Sequence, residues 1–261
     1  MSNELKKKHC PATHSIDPHL RTTDPYDLEY IHKTVYSLAQ SDNSLAPQVR
    51  KALSVIEESL DKYGQGALSL AFNGGKDCTV LLHLVVAALY HKLKGQEFRR
   101  IQSVYVTCRN PFPEIDQFVD MCAKRYYLDS VSIPGPMRQA LQQFLDVVKV
   151  RPEAILVGIR RNDPYAENLT HFDPTDEGWP SFMRVHPIID WTYQNVWDFL
   201  LILGIPYCDL YDRGYTSLGG MDNTTPNPEL RNTESPSGYS PAYFLKDEHH
   251  ERCGRMTSGK K

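Results

Sequence analysis

The chain has 261 residues, 41% of them hydrophobic, and a formal net charge of −3. That length can bury the core of one large or two small domains. The slightly acidic balance argues against a protein held to nucleic acid by bulk charge, leaving at most a local basic patch.

The opening MSNELKKKHCPATH has three lysines with no apolar run behind them, unlike a secretory signal. LLHLVVAALY is too short to span a bilayer. The expectation is a soluble, cytoplasmic protein with neither nucleic acid nor membrane among its partners. Six cysteines, at 10, 78, 108, 122, 208 and 253, form no Cys-x-x-Cys pair. Their spacing suggests neither a disulfide framework nor a zinc site, and most read as small buried hydrophobes.

Residues 1–24 are polar and rich in Pro and His, the composition of a flexible leader, and 25–261 reads as a single catalytic domain. Over 27–40, Leu28, Ile31, Val35 and Leu38 recur on one helical face. A second helix is expected over 47–63, ended by Gly64 and Gly66. ALSLAF (67–72) predicts a short strand, and 78–93 a helix apolar on nearly all sides, hence buried. The alternation continues with strands at 101–108, 129–134 and 154–159 and helices at 114–127 and 137–150. FMRVHPIID (182–190) reads as one more strand, and 193–203 as a helix ending at Gly204.

Such alternation predicts an α/β fold: a doubly wound, mostly parallel, Rossmann-like sheet within 67–190, preceded by helices. Residues 204–261 lack periodicity and are rich in Gly, Pro, Asn, Ser and Tyr. The tyrosines and the close YFLKDEHHERCGR predict an ordered tail that folds back over the domain and completes its site.

Asn73-Gly74-Gly75-Lys76-Asp77 stands where the first strand ends and a helix opens, the position at which parallel α/β sheets bind ligands. Adjacent glycines let backbone N–H groups converge on an anion, and the helix N-terminus adds partial positive charge. Lys76 can bring a full charge, and Asp77 can cap the helix or help hold magnesium. The spacing fits neither G-x-x-x-x-G-K-[ST] nor G-x-G-x-x-G. A plain Gly-Gly turn with a capping Asp is the competing reading; the strand before and the buried helix after favour phosphate.

The loop resembles the S-G-G-x-D-S loop of the adenine-nucleotide alpha-hydrolase superfamily, the PP-loop ATP pyrophosphatases, whose nucleotidyl members cut ATP between the α and β phosphates. Asn73 and Cys78 stand in place of the two serines, so this likeness alone leaves the reaction open. GIRRNDPYAENL (158–169), WPSFMRVHPIIDWTYQNVWDFLL (179–201), GYTSLGGMDNTTPNPEL (214–230) and PAYFLKDEHHERCGR (241–255) narrow it. With FNGGKDC they resemble, in order from about residue 60 to 255, the eukaryotic FAD synthetases, the FMN adenylyltransferases of the yeast type.

That resemblance implies the reaction ATP + FMN → FAD + pyrophosphate, with Mg²⁺ held mainly through the phosphates. It also implies a monomer that supplies FAD to apo-flavoproteins. It places Asn73, Asp77, Arg252 and Arg255 in the catalytic set, Gly74, Gly75 and Lys76 on phosphate, and Asp77 also on the metal. Ala71, Phe72, Tyr105, Val106 and Thr107 would line ATP, and Ile159, Arg160, Arg161, Asp163, Trp179 and Arg184 the flavin.

Taken singly, these residues have plainer readings. Arg160 and Arg161 could be solvated strand-end charges. Trp179, Trp191 and Trp197 could be core or lid packing, Asp190 the cap of the helix near Tyr193, and His249-His250 a surface pair. Two other functions stay open. One is a phosphoadenylyl-sulfate reductase-like enzyme with Cys253 as nucleophile and thioredoxin as partner. Here Glu251-Arg252-Cys253-Gly254-Arg255 lacks the histidine that follows the reductases' Glu-Cys-Gly. The other is a non-catalytic flavin or nucleotide sensor.

Overall fold

The computed structural model describes residues 16–21, 24–93 and 98–256; Cys10 and the expected leader up to residue 15 lie outside them. α1 (Leu28–Gln40) starts at Asp27, whose carboxylate accepts from the Glu29 and Tyr30 amides, satisfying donors that a helix start leaves free. α2 (Ala46–Tyr63) has a proline in its first turn and stops at Gly64. β1 (Leu68–Ala71) leads into α3 (Lys76–Leu93), which opens two residues before its apolar run. Then come β2 (Ile101–Thr107), α4 (Pro113–Arg125), β3 (Leu128–Pro134), α5 (Met137–Val147) and β4 (Ala154–Val157). β5 (Phe172–Pro174), β6 (Met183–Val185) and α6 (Tyr193–Ile202) follow.

The strands form one sheet in the order β3-β2-β1-β4-β6-β5, parallel except for β5, which runs antiparallel to β6. β2 and β3 lie to one side of β1, and β4 to the other. Parallel crossovers are right-handed, so reversing direction moves the connecting helix to the opposite face. Accordingly α3 and α4 share a large core with α1, α2 and α6, built around Leu70, Val80, Leu84, Val119 and Trp197. On the other face α5 packs Ala140, Phe144 and Leu145 against Val104, Ile133 and Ile155, and leaves Ala71, Val106 and Val157 partly uncovered. The first face is sealed and the second is not. Every residue of α3 from Cys78 to Leu89 is buried, which is why its sequence shows no polar stripe.

The structure corrects several expectations. The strand expected over 182–190 is confined to Met183–Val185; Pro187 has no N–H for the ladder, and 187–190 turn. β4 ends at Val157, leaving Ile159 beyond it. β5 is too short to show alternation. Residues 16–20, read as leader, dock on the domain: Leu20 is buried, its carbonyl accepts from Arg125, and the Asp17 amide donates to Gly204 O at 3.0 Å. Asp190 does not cap α6; Thr192 does, in a capping box with Asn195.

The tail after residue 204 is a series of short turns, with Leu210, Tyr211, Leu230, Ala242 and Leu245 in the main core. Asn227, fully buried, fixes it by donating to Thr216 Oγ1 (2.9 Å) and His250 O (2.8 Å).

His83, inside α3, is buried against Tyr126, with Nδ1 3.0 Å from the phenol oxygen. Burial drives its pKa from 6.5 down to about 3. Above pH 6.5 the group is neutral in both states; below it the unfolded chain gains a proton that the folded one refuses, so stability falls as pH drops toward about 3. His83→Gln, which keeps a partner for Tyr126, should flatten this slope. Urea unfolding at about pH 7 and about pH 5 should show the wild type losing about 2 kcal/mol more than the variant. Parallel losses would mean that His83 does not set the acid limb.

Candidate active site

The chain reverses direction between β1 and β4, so the loops leaving these adjacent strands diverge and open a crevice at their carboxyl ends. Residues 73–75 form the first loop. Gly74 has φ 73°, a left-handed turn that also brings it against α4, where an added Cβ would lie 3.0 Å from Val119 Cγ2. Gly75 N donates to Asn73 Oδ1 (3.0 Å) and Lys76 N to the Tyr211 hydroxyl (2.8 Å). Gly158 begins the second loop. A Cβ there would meet Cys78 N at 3.0 Å, so glycine is what lets β4 approach the start of α3. Cys78, in place of the family serine, is buried, and burial followed by the Asp77 charge pushes its thiol up to about 12.

Behind the loops lies a buried group of four charges. Lys76 is 2% exposed and Arg160 1%. Lys76 Nζ pairs with Asp77 Oδ2 (3.0 Å) and Glu251 Oε1 (2.5 Å). Arg160 Nε pairs with Asp77 Oδ1 (2.6 Å), and its Nη2 with Glu251 Oε2 (2.5 Å). Each cation thus meets both carboxylates and each carboxylate both cations. Burial opposes every one of these charges, yet the partners prevail: the Lys76 and Arg160 pKa values end above their ordinary values and that of Asp77 below. Lys76 also sits 5.2 Å from the centre of the Tyr193 ring. Two expectations change here. The Lys76 ammonium is paired with two carboxylates at the wall of the polar chamber described next rather than free within it. Arg160 belongs to this cluster and lines neither of the chambers described next.

Two chambers adjoin in front of the cluster. The first, of about 250 Å³, is polar and bounded by Asn73, Gly75, Tyr105, Ser217, Arg252 and Arg255. Arg255 Nη1 donates to Leu218 O (2.7 Å); burial and then the charge of Arg252 lower its pKa. Arg252 is exposed, and its guanidinium makes no hydrogen bond or ion pair among the described residues. The second chamber, of about 490 Å³, lies on the sparsely covered face of the sheet, among Phe72, Val106, Leu141, Ile159, Trp179 and Phe182. Asn73, Cys78, Val106, Gly158, Asp163 and Arg252 border both. Burial and then Asp77 raise the Asp163 pKa, while its Oδ2 accepts from the Arg160 amide at 2.8 Å.

The structure therefore brings Asn73, Gly75, Lys76, Asp77, Tyr105, Asp163, Arg252 and Arg255 around one chamber, and Ala71, Phe72, Val106, Ile159, Trp179 and Arg184 around the other. It does not bring Gly74, Thr107 or Arg161 to either. Arg161 turns outward to Asp190 (2.5 Å) and to the carbonyls of Glu167 and Leu169. Trp191 and Trp197 are core. Cys253 is exposed and lines neither chamber. His249 and His250 join no group of three or more potential metal ligands among the described residues. Sequence reasoning missed Glu251, Gly158, Asp176 and His186. Glycine after a strand flags Gly158; for Glu251 the available signal was an acidic residue beside the tail arginines.

A profile of the phosphoadenosine phosphosulfate reductase domain matches residues 67–226. A probable FAD synthase of Schizosaccharomyces pombe is 43% identical over 88% of this chain and 89% of its own length. The flavin adenine dinucleotide synthase of Saccharomyces cerevisiae is 39% identical over 64% of this chain, which spans 60% of that relative's length. Among solved structures, the FMN adenylyltransferase of Candida glabrata in complex with FAD and inorganic pyrophosphate is similar at a TM-score of 0.79 and 28% identity, covering 88% of this chain and 96% of that one.

Glu251→Ala leaves two buried cations facing one carboxylate and should cost about 3–5 kcal/mol. Arg252→Ala, one residue on, should stay within about 0.5 kcal/mol of the wild type, as exposed substitutions do. Thermal and urea unfolding check both. Equal effects would mean that the four-charge cluster is not what anchors the tail.

Proposed function

The chain belongs to the phosphoadenosine phosphosulfate reductase domain family and, within it, to the FAD synthases, and we propose that it is an FMN adenylyltransferase, moving AMP from ATP to FMN and releasing pyrophosphate. One observation carries this reading: a polar chamber with two arginines adjoins an apolar one of ring-holding size, and the two meet at Asn73, Gly158 and Asp163. The Candida glabrata enzyme, whose structure holds FAD and pyrophosphate together, supports it.

A phosphate oxygen of FMN, ionised at neutral pH, attacks the α-phosphorus of ATP without a general base. Catalysis is then in-line positioning plus neutralisation of the charge that grows on the leaving pyrophosphate. Arg252 and Arg255 supply that neutralisation, each contact being worth about 1.5–3 kcal/mol, and the start of α3 adds its partial charge. Phosphate oxygens take over the Gly75 amide from Asn73 Oδ1, and Asn73 turns toward the reacting phosphate. Asp77, at the wall of the polar chamber, keeps the loop and the tail in register through Lys76, Arg160 and Glu251. Ala71, Phe72 and Val106 take the adenine; Asp163, Trp179 and Arg184 take the flavin.

Among the described residues there is no group of three or more His, Cys, Asp or Glu placed to hold a metal. Magnesium belongs to the substrate side, carried on the ATP phosphates. The reductase alternative is disfavoured by Cys253, which lies outside both chambers. We place the protein in the cytoplasm, as a monomer that passes FAD to apo-flavoproteins. Among the described residues no helix is long and apolar enough to cross a membrane.

ATP labelled at the α-phosphate, incubated with Mg²⁺ and FMN, should yield labelled FAD and unlabelled pyrophosphate on chromatography; ADP release would instead mean phosphoryl transfer and end this reading. Arg252→Ala should lower kcat by about ten-fold or more at saturating substrates, the factor for about 1.4 kcal/mol. Cys253→Ser should keep wild-type turnover. The reverse pattern, with Cys253→Ser inactive and Arg252→Ala active, would return the reductase reading to first place.

A further inference from the structure

One phenol in the wall of the polar chamber carries a hydrogen that the protein leaves unused. Tyr211, on the turn at Asp209–Arg213, is 2% exposed and lines that chamber. Its ring is held in the core, edge-on to Trp197 at 5.3 Å and to Tyr207 at 6.3 Å between centroids. The hydroxyl is the end that reaches the phosphate loop. It accepts from Lys76 N at 2.8 Å and lies 3.8 Å from the point that a Cβ on Gly75 would occupy. Accepting uses a lone pair and leaves the O–H free to turn. Among the described residues that hydrogen has no acceptor.

A buried donor without an acceptor carries a desolvation penalty that an incoming ligand can remove. The side open to a ligand is the polar chamber, whose neighbouring wall includes Gly75, Ser217, Arg252 and Arg255. Donors and cations on that wall call for an anion. Burial, and then the charge of Asp77, hold the Tyr211 pKa well above its ordinary value. The phenol therefore keeps its proton at neutral pH and offers a hydrogen bond, not a proton.

The bond from Lys76 N adds to this. Lys76 opens α3, so its amide belongs to the free N–H groups where the helix's partial positive charge gathers. In a bare loop such an amide would meet an anion directly. Here the phenol oxygen has taken it, and an oxygen that already accepts a bond makes its own O–H a stronger donor. Tyr211 thus extends the reach of the helix start by one hydroxyl. It borders only the polar chamber, away from the junction at Asn73, Gly158 and Asp163 where the two chambers meet. Resting on the adenylyltransferase reading, we propose that Tyr211 is a further catalytic residue, its hydroxyl donating to an oxygen of the leaving pyrophosphate beside Arg252 and Arg255.

Two replacements separate donation to phosphate from service to Lys76 N. Tyr211→Phe removes both. Placing 3-fluorotyrosine at position 211 draws electrons from the oxygen, making it a weaker acceptor and a stronger donor, so the two roles respond in opposite directions. Initial rates with ATP, Mg²⁺ and FMN near neutral pH give kcat and KM, and product inhibition gives the affinity for inorganic pyrophosphate. Tyr211→Phe should lower kcat and weaken pyrophosphate inhibition by about ten-fold or more, the loss of one charge-assisted hydrogen bond, with the KM for FMN within about two-fold. The fluorinated enzyme should match or exceed the wild type in both.

If Tyr211→Phe leaves kcat and pyrophosphate inhibition unaltered, the proposal fails. It fails equally if the fluorinated enzyme drops below the wild type, because the hydroxyl then serves only the amide of Lys76. Should Tyr211→Phe not fold, the fluorinated protein decides alone: tighter pyrophosphate inhibition supports the proposal, and equal or weaker inhibition overturns it. Failure of the wild type to form FAD from FMN sinks the parent reading and this one with it; FAD formation with pyrophosphate inhibition indifferent to Tyr211 sinks only this one.

Discussion

Four largely buried charges hold three distant parts of the chain in one place. Asp77 comes from the start of α3, Arg160 from the loop after β4 and Glu251 from the tail, while Lys76 completes the alternation of sign. Buried ion pairs are poor sources of stability, since desolvation consumes most of what attraction returns, and apolar replacements of the same shape often do as well. What apolar packing lacks is direction. Paired carboxylates and a forked guanidinium fix not only that the tail docks but how it is rotated, and Arg252 is bonded directly to Glu251. The aim of the arginine is therefore set by a cluster whose Lys76, Asp77 and Glu251 also form part of the wall of the polar chamber.

The second constraint is topological. Because the winding direction changes beside β1, α5 is left to cover one face of the sheet through Ala140, Phe144 and Leu145. An open strip of Ala71, Val106 and Val157 results, ending at the loops that carry Asn73 and Gly158. The position of the apolar chamber follows from the order of strands.

Much of this was legible in advance. The periodicity of α1, the uniform apolarity of α3 and the strand–helix alternation through β4 follow from local pattern, and patterns survive in a bare sequence. The loop could be located because a strand, two glycines and a helix are consecutive. What stayed hidden was pairing across long separations. Arg160 and Arg161 are adjacent and chemically identical, yet one is buried between carboxylates and the other turns out to Asp190; the difference is the side of the backbone from which each departs. Lys76 looked like a phosphate ligand for the same reason: its partner Glu251 is 175 residues away. β5 and β6, three residues each, are too brief for alternation to register, and His186 was taken for part of a strand that stops just before it.

The separations inside the cluster also govern when the site can come into being. Glu251 is 91 residues beyond Arg160 and 175 beyond Lys76. A chain emerging from the ribosome has made its sheet and both cations long before it makes the second carboxylate. Until then the interior would hold two positive charges against one negative, a state that favours hydration of that region over closure. Closing so long a loop is slow in entropic terms, and the reward arrives all at once when the tail lands. The segment around Glu251, made well after the sheet, thus acts as the latch, and a nascent molecule passes through a stage with its sheet complete and its crevice wet.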